Sequence, residues 1–162
     1  VTGRPGNQLH FLEDPTPMRL RPAAAAILVT VDGRYVLQLR DDTPGIPYPG
    51  HWACFGGALE DGEDPPAALV RELAEETGLA FALAELSYFT TSTFDYAFAA
   101  GPMLTRTYFT VTMDDARLAA VRLTEGRNWA ALSPGEVFGE IRLAPYDGFV
   151  LWMHASRRRF HW

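Results

Sequence analysis

The chain is predicted to fold as a mixed α/β domain with helices layered on a sheet, and three observations predict it. Apolar residues fill 48% of the 162 positions and charged residues 21%, the balance of a folded globular protein. Segments rich in β-branched and aromatic residues stand on both sides of one strong helix signal. A second helical stretch closes the chain, and no repeat or linker divides it, so the elements must share one layered core. The length fits a single domain.

Taken in order, residues 1–22 read as an N-terminal arm and residues 23–162 as the single domain. Through Met18 the chain carries three prolines and two glycines without periodicity. Ala23 to Val31 then reads as a buried strand. Asp32-Gly33 is a hairpin signal, and Tyr35 to Leu39 returns as a second strand. A loop rich in Pro and Gly, Asp41 to Gly50, is long enough to be functional. Pro65 to Thr77 is the strong helix: Asp64 supplies its N-cap, Pro65 its first turn and Gly78 its left-handed stop. Strands are expected at Leu86 to Phe94, Met103 to Thr112 and Arg127 to Ala131. A short helix opens at Ser133. A last helix, Tyr146 to Arg158, is expected to turn Phe149, Val150, Trp152 and Met153 inward.

Composition also excludes several function classes. With 14 basic and 20 acidic residues the net charge is −6, which argues against an extended nucleic-acid or membrane-surface partner. A single cysteine, Cys54, rules out a disulfide framework and reads as a small buried hydrophobe. The apolar-leaning run from Pro22 to Val31 is too short to span a bilayer, and no signal peptide is apparent, so a cytoplasmic location is expected.

The chemistry concentrates between Gly57 and Leu79. On a helical wheel Leu69, Val70, Leu73, Ala74 and Thr77 make the core face, and Glu72, Glu75 and Glu76 crowd an adjoining wedge. Carboxylates so spaced repel one another, and a hard divalent cation with oxygen ligands compensates them. Arg71, next to Glu75, is placed to orient a carboxylate. Gly56-Gly57 marks a place where backbone bends tightly or approaches a ligand closely. A solvated acidic face is the plainer alternative.

This stretch resembles the signature of the Nudix hydrolases, G-x5-E-x7-R-E-U-x-E-E-x-G-U with U a bulky aliphatic residue. Gly57, Glu63, Arg71, Glu72, Leu73, Glu75, Glu76, Gly78 and Leu79 fill every fixed position without insertion. The resemblance implies an α/β/α sandwich with a mixed β-sheet. It also implies that Glu72, Glu75 and Glu76 bind Mg²⁺ or Mn²⁺ with Gly57, that Glu63 is a structural or auxiliary metal residue, and that Arg71 orients the carboxylates. The implied reaction is hydrolysis of a phosphoanhydride in a nucleoside diphosphate linked to another group. A (deoxy)nucleoside triphosphate is the leading substrate, with a dinucleoside polyphosphate or a nucleotide sugar as the alternative. A non-catalytic nucleotide sensor is disfavoured by the intact carboxylates. Similar proteins usually carry Pro before the Gly-Gly, where this chain has Phe55.

Outside the signature the readings divide. Gly56 is expected to contact the metal and phosphate site. Arg40 is either a phosphate contact or a sheet-edge charge. Glu125 is either the general base, which some members of the family carry in such a loop, or a surface charge. Asp147 is either a reader of the base edge, as in similar oxidised-purine nucleotide hydrolases, or the N-cap of the last helix. Tyr96 stands near a tyrosine of dinucleoside polyphosphate hydrolases, and Trp52 reads as packing. The Arg157-Arg158-Arg159 run reads as a cationic helix end, favoured by the helix dipole. The expected partner is therefore a small nucleotide, with no nucleic acid and no membrane. The N-terminal arm is a candidate homodimer element.

Overall fold

The computed structural model describes residues 21–43, 46–97 and 101–157. The expected arm, apart from residues 21 and 22, and the Arg158-Arg159 part of the basic run lie outside them. The elements run β1 (Ala23–Thr30), β2 (Tyr35–Leu39), β3 (Trp52–Ala53), α1 (Pro65–Thr77), β4 (Ser87–Asp95), β5 (Met103–Met113), α2 (Asp115–Ala120), β6 (Asn128–Leu132), α3 (Pro134–Gly139) and α4 (Pro145–Ser156). A single 3₁₀ turn, Leu83–Glu85, precedes β4.

The six strands form one mixed sheet in the order β3-β2-β1-β5-β4, with β6 pairing β2. β1 and β5 run parallel over their full shared length, Ala23 opposite Arg106 through Thr30 opposite Met113. The other pairings are antiparallel. β2 pairs β1 at Tyr35 and Val36 and β3 at Gln38 and Leu39, while β6 lies along it from Tyr35 to Leu39. Past Val36, β1 turns instead to the chain after β3, where the Ala26 N–H donates to the Phe55 carbonyl and the Ala24 N–H to that of Gly57. The glycine pair is thus tied directly to the central strand.

A central strand covered on both faces should be apolar throughout rather than alternating, and β1 is buried at seven of its eight positions. Ala24, Ala26 and Leu28 point to one core with Leu69, Leu73 and Phe109, and Ala25 and Ile27 to another with Tyr108, Val150 and Leu151. The expected three layers, helix on sheet on helix, are present.

Several boundaries and faces differ from the sequence reading. β3, α2 and the 3₁₀ turn were not anticipated. α4 starts at Pro145, one residue early, and its buried face is Tyr146, Asp147, Val150, Leu151 and His154. Phe149 and Trp152, expected inward, are about half exposed, because an i, i+4 stripe anchored at Tyr146 and Asp147 leaves them to the side. Asp147 is therefore not the N-cap; Ala144 is, and its carbonyl accepts the Asp147 N–H. On α1 the buried positions are Ala68, Leu69, Leu73, Glu76 and Thr77, with Ala74 exposed and Val70 only partly covered. The stripe is rotated toward Glu76, which enters the protein with the apolar residues.

Candidate active site

The helix α1 is built to present its carboxylates firmly. The Asp64 side chain accepts the Ala67 N–H, Pro65 and Pro66 occupy the first turn, and Gly78 ends the helix at φ 70°, its N–H donating to the Ala74 carbonyl. The loop after α2 clamps the C-terminal end. The Arg122 and Thr124 N–H groups donate to the Thr77 and Glu76 carbonyls, and the Thr124 hydroxyl donates to the Glu75 carbonyl. These bonds occupy carbonyls the helix cannot satisfy itself, and they bring Glu125 beside Glu76.

Arg71 gathers the acidic side chains on the exposed flank. Its Nε and Nη2 donate to the two Glu63 oxygens at 3.1 and 2.9 Å, and its Nη1 donates to Glu72 at 2.9 Å and Glu75 at 3.1 Å. Nη2 also reaches the Ala58 carbonyl. The forked guanidinium suits this many acceptors where an ammonium would not. Glu63 also accepts the Glu60 N–H, and its bonds to Arg71 hold its carboxyl below the ordinary carboxylate range.

Glu76 lies on the inner side and is 5% exposed. It accepts 2.8 and 2.7 Å bonds from the Gln38 side-chain amide and the Gly56 N–H. Burial outweighs both bonds and pushes its carboxyl up to about 7. Burial also raises Glu72, with the charges of Glu75 and Glu125 adding to it against the pull of Arg71. Gly57 makes room for Glu72: a Cβ there would stand 2.4 Å from a carboxylate oxygen. At Gly56 the φ of +124° and a Cβ position 2.3 Å from the Ala24 carbonyl leave glycine as the one residue that fits.

A family model for the NUDIX domain matches residues 19–159. The chain belongs to the Nudix family. Over 65 residues it is 42% identical to the nucleoside triphosphatase NudI of Escherichia coli O139:H28 (strain E24377A / ETEC), a match covering 40% of this chain and 45% of that protein. It is 36% identical over 67 residues to an RNA pyrophosphohydrolase of Gluconobacter oxydans (strain 621H), covering 41% of this chain and 37% of that one. The chain thus spans less than half the length of these two relatives. The fold is similar to that of the MutT protein from Methanosarcina mazei Go1, with a TM-score of 0.66 and 19% identity over 85% of this chain and 97% of that one. A NUDIX hydrolase from Nitrosomonas europaea gives 0.65 and 20% over 85% and 90%.

The donor set of the Nudix helix suits a hard divalent cation. Glu72, Glu75 and Glu76 offer oxygen ligands only, two of them are destabilised as anions by burial, and Gly57 removes the side chain that would obstruct Glu72. Among the described residues no three His, Cys, Asp or Glu side chains already converge on one point. Glu76 is turned to Gln38 and Gly56, whereas Glu72 and Glu75 are turned to Arg71.

The remaining residues separate into two regions. Arg40, Asp41, Ile46, Glu125 and Gly126 line a cleft with Gln38 and Glu76, and Arg40 Nε donates to the Pro47 carbonyl. Arg40 and Glu125 are thus beside the Nudix helix. Tyr96 and Asp147 are not. Tyr96 is buried in the wall of a second, aromatic pocket with Tyr48 and Tyr146. Asp147 is fully buried behind it, accepting the Cys54 N–H at 2.8 Å and the Tyr108 hydroxyl at 2.9 Å. The sequence reading missed Gln38 and Thr124, which act only through tertiary contacts with Glu76 and Glu75. It also missed Tyr48, Arg106 and Tyr146, which have no motif spacing. Trp52 is partly buried in β3 and Cys54 is in the core, as read.

Proposed function

We propose that the chain is a divalent-cation-dependent nucleotide pyrophosphohydrolase. It would cut a phosphoanhydride in a nucleoside diphosphate linked to another group, with a (deoxy)nucleoside triphosphate as the leading substrate. The observation that carries this reading is the placement of Glu76, a buried carboxylate held by Gly56 and Gln38 at the edge of a cleft that also holds Arg40 and Glu125. The resemblance to NudI, a nucleoside triphosphatase, supports the substrate class.

Glu72, Glu75 and Glu76, with the backbone at Gly57, are the groups that would hold Mg²⁺ or Mn²⁺. Bound there, the cation neutralises phosphate oxygens and makes an attacking water more acidic. Arg71 fixes the directions of Glu72 and Glu75 and limits their mutual repulsion, with Glu63 fixing Arg71 in turn. Arg40 supplies a positive charge for a phosphate oxygen. Glu125, exposed at the rim of the cleft, would accept the proton of the attacking water.

The test is a panel of nucleoside triphosphates, dinucleoside polyphosphates and nucleotide sugars incubated with Mg²⁺ or Mn²⁺, with products identified by mass. A nucleoside monophosphate plus pyrophosphate from a triphosphate is the expected outcome. Turnover confined to the other two classes would move the substrate assignment to them, and turnover unaffected by chelation would remove the cation from the account.

A further inference from the structure

The acidic side chains of the site are held in two different ways. Arg71 holds Glu63, Glu72 and Glu75, and a single nitrogen, Nη1, serves both Glu72 and Glu75. The Glu75 side chain is 58% exposed, so water can take over its share of that bonding at little cost. Glu76 is held otherwise. Each of its oxygens has a neutral donor of its own, Gln38 Nε2 on Oε1 and the Gly56 N–H on Oε2. Among the described residues Gln38 is the one side chain bonded to Glu76, and both are almost wholly buried.

Neither donor is free to follow Glu76 if it moves. Gly56 lies in the segment laced to β1, where the Phe55 and Gly57 carbonyls accept the Ala26 and Ala24 N–H groups. Gln38 stands on β2 opposite Ala53 of β3 and Trp129 of β6, so its backbone is fixed by two neighbouring strands. A carboxylate offers acceptors only, and the amide must therefore turn its nitrogen to Glu76. Its oxygen end is confined by Gly126, where a Cβ would stand 3.1 Å from it. Little solvent reaches this pair, so no other donor readily replaces the amide.

We infer that Gln38 is a positioning residue of the cation site: it fixes the Glu76 carboxylate against β2, so that Glu76 is the stationary ligand toward which Glu72 and Glu75 turn from Arg71. The inference rests on the divalent-cation reading proposed above and adds an order to it. One donor on each Glu76 oxygen leaves further lone pairs open, so Gln38 keeps its bond when the cation is held. The Arg71 bonds to Glu72 and Glu75 are the ones given up.

The test measures Mn²⁺ binding through the electron paramagnetic resonance signal of the free ion, in the wild type, Gln38→Met, Glu76→Ala and the double variant. Gln38→Met keeps the side chain's length and removes the donor. Its dissociation constant is expected to rise about 10- to 100-fold, and the Mn²⁺ concentration that half-activates hydrolysis should rise in parallel. In Glu76→Ala there is no carboxylate to hold, so adding Gln38→Met should change the constant by less than about 2-fold. Wild-type affinity in folded Gln38→Met, or an equal further loss in the Glu76→Ala background, overturns the inference and leaves cation-dependent hydrolysis standing. If Gln38→Met does not fold, ¹⁵N NMR of the wild type during Mg²⁺ addition decides the matter. The Arg71 guanidinium resonances should move while the Gln38 amide protons stay slow in exchange with water; the reverse overturns the inference. Neither binding nor activation by Mn²⁺ in the wild type overturns the proposed cation dependence, and the inference with it.

Discussion

Gly56 and Gly57 are neighbours with different constraints, and substitution separates them. At Gly56 an added Cβ meets backbone, the Ala24 carbonyl at 2.3 Å, in a conformation with φ +124°. Gly56→Ala is therefore expected to destabilise the fold by about 3 kcal/mol or more, read as a fall in melting temperature. At Gly57 the added Cβ meets the end of the Glu72 side chain, which can swing away. Gly57→Ala should leave the melting temperature nearly unchanged yet lower kcat by about 10²-fold, because the carboxylate is displaced from its place. At this scale the site was legible wherever residues keep a fixed spacing on one helix, as Arg71, Glu72, Glu75 and Glu76 do. It was not legible where one side chain depends on the fold to find its partner. Gln38, 38 residues away from Glu76 in sequence, and Arg106, whose partner Asp147 lies on the last helix, are of that kind.

Among the elements, α1 was readable to its caps because its start and stop are local chemistry. Asp64→Ala removes the bond to the Ala67 N–H and should cost about 1 kcal/mol in denaturant unfolding, with turnover falling little. The short elements were less readable for identifiable reasons. β3 is two residues long and exists because Gln38 and Leu39 of β2 pair with Ala53 and Trp52. α2 did carry a signal, since Asp114 caps it by accepting the Arg117 N–H, but six residues give no periodicity to read. The inward face of α4 was misjudged because nearly every residue around Phe149 to Met153 is apolar. Its orientation is set by the Tyr146 and Asp147 anchors, and at the far end Arg157 donates to the His154 carbonyl as a cation at a helix C-terminus should.

Across the whole molecule, two buried titratable groups pull stability in opposite directions with pH. His154, bonded to Tyr35 and Arg157 and set against Phe89, is pushed by burial from 6.5 down to about 4. The unfolded state then binds more protons than the folded one between those values, so this contribution is intact above 6.5 and is lost as pH falls. Glu76 is pushed up from 4.5 to about 7, so its contribution is intact below 4.5 and is lost as pH rises. In the metal-free protein the two slopes oppose each other between pH 4.5 and 6.5. Glu76→Gln should leave His154 unopposed and make stability rise more steeply with pH there, by at most about 1.4 kcal/mol per pH unit, as read by urea unfolding. A slope unchanged from wild type would contradict the burial of Glu76.

The net charge of −6 argues against an extended polyanionic partner. Its local distribution gives a different picture: Arg71 neutralises part of the acidic cluster, Arg40 faces the cleft, and the buried carboxylates call for a cation. The central claim is that these carboxylates hold the cation that hydrolysis needs. The most direct measurement is pyrophosphate release from a deoxynucleoside triphosphate, with and without Mg²⁺, by the wild type, Glu75→Gln and Glu76→Gln. The account predicts release by the wild type that chelation abolishes and Mg²⁺ restores, reduced about 10²-fold or more in each folded variant. Wild-type rates in both variants would contradict it.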